Sequence, residues 1–377
     1  MMKKSKTMVK IMISGYYGFD NTGDEAILKS MVGAFKEKIP QIKITVLSHN
    51  PLQTSRTYQV KAINRVHLIS IICCLRNVNL FISGGGGLLQ DSTGKGWSIL
   101  YYLGLILVAK IVKVPVMIYA QGIGPVNKQI NKKLMKWILN NVDLITVRDN
   151  SSKELLENLG VVKPSIYVKS DPVFLLKKKN INHTIDSYPY IQELINSDSR
   201  PLIGVSVREY KNYGSDLIRI FAQVADYLIK NYQVKIIFLP FKFDEDVRII
   251  EEILSLMKNK AEVLKIKLEP EELLSVLSRL SLVVGVRLHS IIFSSMANIP
   301  FIAFNYDPKV KYFVEDLGLP ELLLEIDEGI SLKNIQEKIE YVRENNDKIK
   351  DILLKKVNNL EEKALANNEL VYKFLKP

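Results

Sequence analysis

Cysteine is nearly missing from this chain: two in 377 residues, Cys73 and Cys74, adjacent in an apolar stretch that reads as a helix. Adjacent positions on one helix suit neither a bridge to each other nor metal-ligand spacing, so a disulfide framework is excluded and a reducing cytoplasm is expected. Histidine is scarce as well, with four in the chain, and no Cys/His or His/Glu cluster has ligand spacing, so no metal is expected. Long apolar runs are lacking too. The longest, Ile99 to Ala109, is followed by Lys110, Lys113 and Pro115 and falls short of the ~20 residues that span a bilayer. It reads as a buried core helix, with a helix resting on a membrane surface as the alternative. The opening MMKKSKTMVKIMISG joins basic residues to an apolar run of about seven, which meets Gly15 without a small-residue cleavage site. A first strand, not a signal peptide, is expected there. Acidic residues are in deficit, 40 against 52 Lys and Arg for a net +12, so the surface should attract anions: phosphorylated metabolites, nucleic acid or an acidic membrane face. The lysines run along the whole chain and do not cluster with aromatics, which argues against nucleic acid.

What is present is an ordinary globular composition, 47% hydrophobic and 24% charged, long enough for two domains at ~150 residues each. Short Val- and Ile-rich runs recur between amphipathic helical patterns: Val9–Ser14, Ile42–Leu47, Leu80–Ser83, Val114–Tyr119, Leu144–Val147 and Ile166–Val168. After a polar stretch the pattern restarts with Leu202–Val207, Val234–Leu239, Glu262–Ile266, Leu282–Val286 and Phe301–Phe304. Strands alternating with helices mean parallel sheets, hence two α/β domains. The expected boundaries are residues 1–176, a linker over 177–200, a second domain over 201–350, and a terminal helix over 351–377 that packs back on the first domain. In such sheets ligands sit beyond the carboxyl ends of strands, so the loops to read are those that follow strands.

Five of these loops carry chemistry. GYYGFDNTGDEAIL, Gly15 to Leu28, permits tight turns, while Asn21 or Thr22, with Asp24 and Glu25, suits a helix start. Asp24 either caps that helix or serves an acceptor hydroxyl. The spacing is not G-x-G-x-x-G, which weakens a plain dinucleotide site. SGGGGLLQD, Ser83 to Asp91, offers bare backbone N–H groups to an anion or a passing substrate. Gly94 and Lys95 do not complete a P-loop, since no Ser or Thr follows Lys95. YAQGIGP, Tyr119 to Pro125, is a weaker third. In TVRDN, Thr146 to Asn150, Arg148 closes a strand, where its planar fork meets either a ligand's carboxylate or phosphate or the neighbouring Asp149. The fifth, Val283 to Val310, is the most informative. His289 follows an apolar strand at the start of a helix that opens near Ser290, Arg287 precedes it by two residues, and Lys309 lies past the next strand. A lone histidine is more often structural, but three potential cationic donors at neighbouring strand ends, with a helix N-terminus among them, favour an anion site over a core histidine.

GYYGFDNTGDEAI, SGGGGLLQD, YAQGIGP, TVRD, GVRLHS and NYDPKV, in this order from Gly15 to Val310, resemble the polysaccharide pyruvyl transferase family, its CsaB-like members in particular. The resemblance implies a glycosyltransferase-B-like α/β fold, two Rossmann-like domains facing a central cleft, and a ketal pyruvyltransferase that moves pyruvate from phosphoenolpyruvate to two hydroxyls of a sugar. It implies Arg148, His289 and Lys309 as the phosphoenolpyruvate site, with Arg287 and Ser290 in support, His289 as general acid and Asp24 assisting the acceptor. Gly84, Gly85 and Gly86, with Tyr16 and Asn21, would meet the acceptor. That acceptor would be a lipid-diphosphate-linked saccharide containing N-acetylmannosamine, used at the inner membrane face for a secondary cell-wall polymer that anchors surface-layer proteins. No cofactor is implied, phosphoenolpyruvate being a co-substrate. The apolar helix Ile99–Ala109 and the basic surface leave peripheral membrane contact open beside the expected cytoplasmic location, and a nucleotide-sugar glycosyltransferase or epimerase of the same fold stays open as the alternative.

Overall fold

The apolar runs form two all-parallel sheets, and the central strands are buried on both faces, which explains why those runs are continuous rather than alternating. The computed structural model describes residues 8–92, 97–176, 188–197, 199–209, 214–326 and 331–375. Gly94, Lys95 and His183 lie outside them. The chain divides into two units, residues 1–176 with 359–377, and residues 177–358.

In the first unit the strands are β1 (Lys10–Ser14), β2 (Lys43–Ser48), β3 (Lys61–Asn64), β4 (Leu80–Ser83), β5 (Val116–Gln121), β6 (Leu144–Val147) and β7 (Ile166–Val168), in the order β3-β2-β1-β4-β5-β6-β7. The helices are α1 (Thr22–Lys38), α2 (Pro51–Tyr58), α3 (Leu68–Leu75), α4 (Trp97–Ile111), α5 (Gln129–Leu139) and α6 (Asn150–Asn158). The order reverses between β1 and β4. Both sequence loops richest in glycine leave the sheet at that switch point.

The second unit repeats the plan. A helix α7 (Pro189–Asn196) precedes β8 (Leu202–Ser206), β9 (Lys235–Phe238), β10 (Glu262–Val263), β11 (Leu282–Gly285), β12 (Phe301–Asn305) and β13 (Leu323–Glu325), in the order β10-β9-β8-β11-β12-β13. Its other helices are α8 (Gly214–Tyr232), α9 (Phe243–Leu256), α10 (Pro270–Leu277), α11 (Leu288–Met296), α12 (Pro308–Leu317), α13 (Leu332–Glu344) and α14 (Asn346–Leu375). Part of the stretch expected as a linker is thus helical and packed on this unit. Ile191 of α7 is buried, Tyr188 donates to Glu272 (3.0 Å), and Tyr190 donates to the Val263 carbonyl (3.0 Å).

The last helix, α14, belongs to both units, and from Asn359 onward it covers the first. Ser170 donates to the Leu360 carbonyl (2.5 Å), Tyr119 to Asn368, and Tyr372 to the Ala34 carbonyl (2.9 Å). These bonds satisfy hydroxyls that burial would otherwise leave unpaired. The apolar helix α4 is a core helix: Ile99, Leu103, Ile106 and Ala109 are buried in the same cluster as Ile71 of α3 and Met135 of α5. Among the described residues no helix is long and apolar enough to cross a membrane.

Close approach of α1 to the glycine loop positions the first switch point. A Cβ on Gly85 would fall 2.5 Å from Ile27 Cγ2, and one on Gly84 within 3.2 Å of both Ile13 and Met31 side chains. Ile27, Met31 and Phe35 of α1 are buried, each contributing ~1.5–3 kcal/mol relative to exposure. Beyond the glycines, Asp91 fastens the loop to the next one, accepting the N–H groups of Asn127 (2.7 Å) and Lys128 (2.9 Å) and the Asn131 amide (2.9 Å). Burial pushes its carboxyl up, but these donors outweigh burial and hold it below the usual carboxylate range.

Three stability outcomes are expected in urea titrations. Gly85→Ala should lose ~1–3 kcal/mol by overpacking against Ile27, whereas Gly33→Ala, exposed in the interior of α1 with open space around it, should gain ~0.5–1 kcal/mol. Asp91→Asn should cost ~1–3 kcal/mol at neutral pH. Because the folded pKa is depressed, that stabilisation is present above the unfolded carboxylate pKa and disappears as pH falls through the folded one. The gap between wild type and variant should therefore close in acid; a gap that stays constant to low pH would contradict this account.

Candidate functional site

At the carboxyl edge of the first sheet, the β1–α1 loop is held by its own aromatic residues. Tyr17 folds back under the glycines: a Cβ on Gly15 would strike its ring at 2.3 Å, and one on Gly84 its hydroxyl at 3.0 Å. Burial raises the Tyr17 phenol well above its ordinary pKa, so it stays neutral. Tyr16 stacks on Phe19 (centroids 4.1 Å apart), Phe19 stacks on His49 (4.4 Å), and Arg65 lies over Phe19 (5.0 Å) and Tyr101 (4.3 Å). Sequence reading singled out Tyr16 alone. Apart from Phe19 in the same loop, the cluster's members come from three other segments, so no local motif joins them.

Asn21 caps α1, its Oδ1 accepting from the Gly23 N–H at 3.1 Å. Glu25 clasps the loop, accepting from the Gly18 N–H (2.7 Å) and the Tyr58 hydroxyl (2.6 Å). Asp24 is half-buried in the first turn of α1, and a Cβ on Gly86 would come within 2.9 Å of its Oδ1. Gly86 also has φ +82, a left-handed conformation that suits glycine. Packing of α1 thus accounts for Gly84, Gly85 and Gly86 alongside any ligand. It also sets Asp24 against their backbone.

Arg148, at the end of β6, is only 7% exposed and already paired. Its Nη1 donates to Asp171 at 3.0 Å, and its Nε lies 3.6 Å from Asp149. Asp149 is engaged in capping α6 through the Ser152 N–H (2.7 Å), so the shorter partner is Asp171, a buried residue that sequence reading missed. A Cβ on Gly122 would overlap the guanidinium at 2.6 Å, so this glycine makes room for the arginine.

The second unit has its own switch point, between β8 and β11. Arg287 there forms a bidentate pair with Asp246, Nε to Oδ2 at 2.8 Å and Nη2 to Oδ1. Asp246 is fully buried and also accepts from the Phe241 (2.9 Å) and Lys242 (2.8 Å) N–H groups. Arg287 is therefore a strut for the strand ends. Ser290 is buried beneath it and donates to the Arg287 carbonyl at 2.6 Å, leaving only lone pairs for any other contact.

His289 is the second residue of α11, half-buried, with Nε2 shielded from solvent. The N-cap residue Arg287 makes no side-chain cap to α11, so the first N–H groups of that helix and the positive end of its dipole suit an anion. Lys309 opens the neighbouring α12, where Asp307 accepts its backbone N–H at 3.1 Å. Arg208, two residues past β8, lies over the Tyr306 ring at 4.5 Å. Burial works against the Arg208 charge, but Tyr306, Asp307 and Asp246 outweigh it and raise its pKa. Among the described residues nothing accepts from its buried Nε–H. Sequence reading passed over this arginine because VSVREY has neither glycine nor a recognisable spacing.

The structure thus brings Arg287, His289, Ser290 and Lys309 to adjacent strand ends of the second unit and adds Arg208. It brings Tyr16, Asn21, Asp24 and Gly84–Gly86 together on the first unit, where Arg148 also lies. Among the described residues no three His, Cys, Asp or Glu side chains gather as metal ligands.

Comparison with known proteins bears on the fold and the family. Amylovoran biosynthesis protein AmsJ of Erwinia amylovora is 24% identical over 291 residues, which cover 72% of this chain and 67% of that protein. Among solved structures, Anabaena HepE in complex with UDP-glucose matches with a TM-score of 0.66 at 12% identity, covering 97% of this chain and 99% of its own. A putative UDP-N-acetylglucosamine 2-epimerase from Listeria monocytogenes matches with a TM-score of 0.67 at 12% identity, over 97% and 95%. At such identity these structures share the fold alone, two Rossmann-like domains of the glycosyltransferase-B class. The sequence profile of the family described as polysaccharide pyruvyl transferase matches residues 21–308, well over half the length, and the chain belongs to that family.

Proposed function

We propose that this transferase moves pyruvate from phosphoenolpyruvate to two hydroxyls of one sugar residue, closing a ketal and releasing inorganic phosphate. The observation that supports it is the set of donors at the ends of β8, β11 and β12: Arg208, His289, Lys309 and the uncapped N-terminus of α11. Phosphoenolpyruvate carries a phosphate and a carboxylate on a small planar frame, and its recognition takes several fixed donors. Arg287 keeps these strand ends in register. Arg148, immobilised by Asp171, is the donor contact proposed for the first unit.

In the reaction, the His289 imidazolium gives its proton to the methylene carbon, leaving positive charge on the adjoining carbon bonded to the phosphate oxygen. One sugar hydroxyl adds there and loses its proton to a base, for which Asp24 is the candidate. A second hydroxyl then replaces phosphate, and its proton leaves with the phosphate or through the neutral His289. No cofactor takes part. Asp24, Tyr16, Asn21 and Gly84–Gly86 belong on the acceptor side of the reading, with a lipid-diphosphate-linked saccharide containing N-acetylmannosamine as acceptor and a secondary cell-wall polymer as product, made at the cytoplasmic face of the membrane.

Ligand-induced thermal shift tests the donor. Phosphoenolpyruvate at a hundred times its Kd should add ~2.7 kcal/mol of stability, and Arg208→Ala should lose most of that shift; Arg148→Lys, which keeps a cation beside buried Asp171, should weaken it too. Stabilisation by uridine diphosphate and none by phosphoenolpyruvate would favour the nucleotide-sugar alternative instead. Arg287→Ala should fail differently, losing ~3–5 kcal/mol without any ligand because Asp246 is left buried and unpaired. His289→Gln should keep phosphoenolpyruvate binding and lose ~10²-fold or more in kcat; near-wild-type turnover would remove the acid role.

A further inference from the structure

Lysine and arginine run the length of the chain, but the acidic residues that balance them do not. Residues 177–358 carry 26 Lys and Arg against 27 Asp and Glu, whereas residues 1–176 with 359–377 carry 26 against 13. The whole positive surplus therefore sits on the first unit. It is concentrated further: from residue 38 to residue 142 there are 13 basic residues and one acidic residue, Asp91, and that carboxylate is buried under three donors.

This acid-free stretch also exposes apolar side chains at one end of three adjacent helices. Every helix that follows a parallel strand starts at the carboxyl edge of the sheet. At that edge Val66 is 73% exposed, Leu68 55% and Ile69 73%, at the start of α3; Trp97 is 71% exposed at the start of α4, and Ile130 64% at the start of α5. These ends lie side by side. Arg65, next to Val66, covers Tyr101 of α4, whose hydroxyl donates to the Arg65 carbonyl at 2.6 Å, and Trp97 stands one turn before Tyr101 on the same helix face. Helices α3, α4 and α5 share one apolar cluster. Lys128, Lys132 and Lys133 flank Ile130, and the first turns of all three helices contain no acidic residue.

We propose that the N-terminal ends of α3, α4 and α5 dock on an anionic phospholipid bilayer, with Ile69, Trp97 and their neighbours entering the headgroup boundary and the lysines meeting lipid phosphates. Exposed aliphatic residues and a tryptophan rimmed by lysine, with no carboxylate among them, match a negatively charged interface in both polarity and charge. A nucleic acid would leave the aliphatic side chains unused. The docking edge is the one from which the β1–α1 and glycine loops emerge, so docking brings the acceptor loops to the membrane surface. The inference goes beyond the proposed reaction and stands whichever sugar is the acceptor.

Sedimentation with vesicles tests it without any substrate. The full chain should pellet with phosphatidylcholine vesicles containing phosphatidylglycerol and stay in solution with phosphatidylcholine alone. Ile69→Ser with Trp97→Ser should lower the partition at least about tenfold, each lost side chain forfeiting most of its transfer free energy. Lys132→Glu with Lys133→Glu should lower it too, and in a Trp137→Phe background Trp97 fluorescence should shift blue on binding. The serine variant should melt like wild type and retain turnover on a soluble acceptor, so failure of docking and failure of the proposed reaction are read separately. Three outcomes would overturn the proposal: no pelleting of wild type, undiminished pelleting of the serine variant, or a wild-type dimer without vesicles that the serine substitutions dissociate.

Discussion

Burying a carboxylate is tolerable only if donors replace its water, and three aspartates buried under that constraint hold the strand-end loops of this protein. Asp91 joins the glycine loop to the segment Asn127–Asn131, Asp171 fixes Arg148, and Asp246 fixes Arg287 while taking two backbone N–H groups after β9. Each pairs a side chain or backbone far away in sequence, so each staples one βα loop to another. The sheets supply the platform; these carboxylates decide where its loops stand.

That division separates two kinds of arginine. Arg148 and Arg287 have their charge largely met by protein, which fixes their position before a ligand arrives. Arg208 keeps a buried Nε–H with no acceptor among the described residues and follows β8, the strand beside β11, which leads into α11. A site built on fixed struts is preorganised for charge. Lysines on the surface alone would not achieve that.

The sequence made the central strands readable because burial on both faces leaves an unbroken apolar signature, as in LFIS of β4 and LVVG of β11. It hid β3 and β13, whose edge positions leave KAIN and LLE half-buried and without a clear period. The loops of interest were legible as glycine-rich exits from strands, but their chemistry was only half so. The run Gly84–Gly86 reads as space for a ligand, and the structure shows α1 using that space first, through Ile27 and Asp24. Asp171 and Asp246 carried no local signal because their partners lie 23 and 41 residues away. Phe19, His49 and Arg65 assemble only once β1, β2 and β3 lie side by side.

Net charge shows why composition had to be localised before it could be interpreted. Taken as one number, +12 fits naturally with a phosphorylated donor. Yet the unit bearing His289, Lys309 and Arg208 is nearly neutral, so the affinity proposed there for a small anion would come from the aim of a few donors and a helix end rather than from a basic field. The surplus on the other unit acts over a longer range, falling off across a Debye length of ~8 Å at physiological salt. A field of that reach suits an extended charged surface better than a single buried anion. On the two proposals the halves of the chain use positive charge in different ways: one by geometry at a point, the other by density over an area.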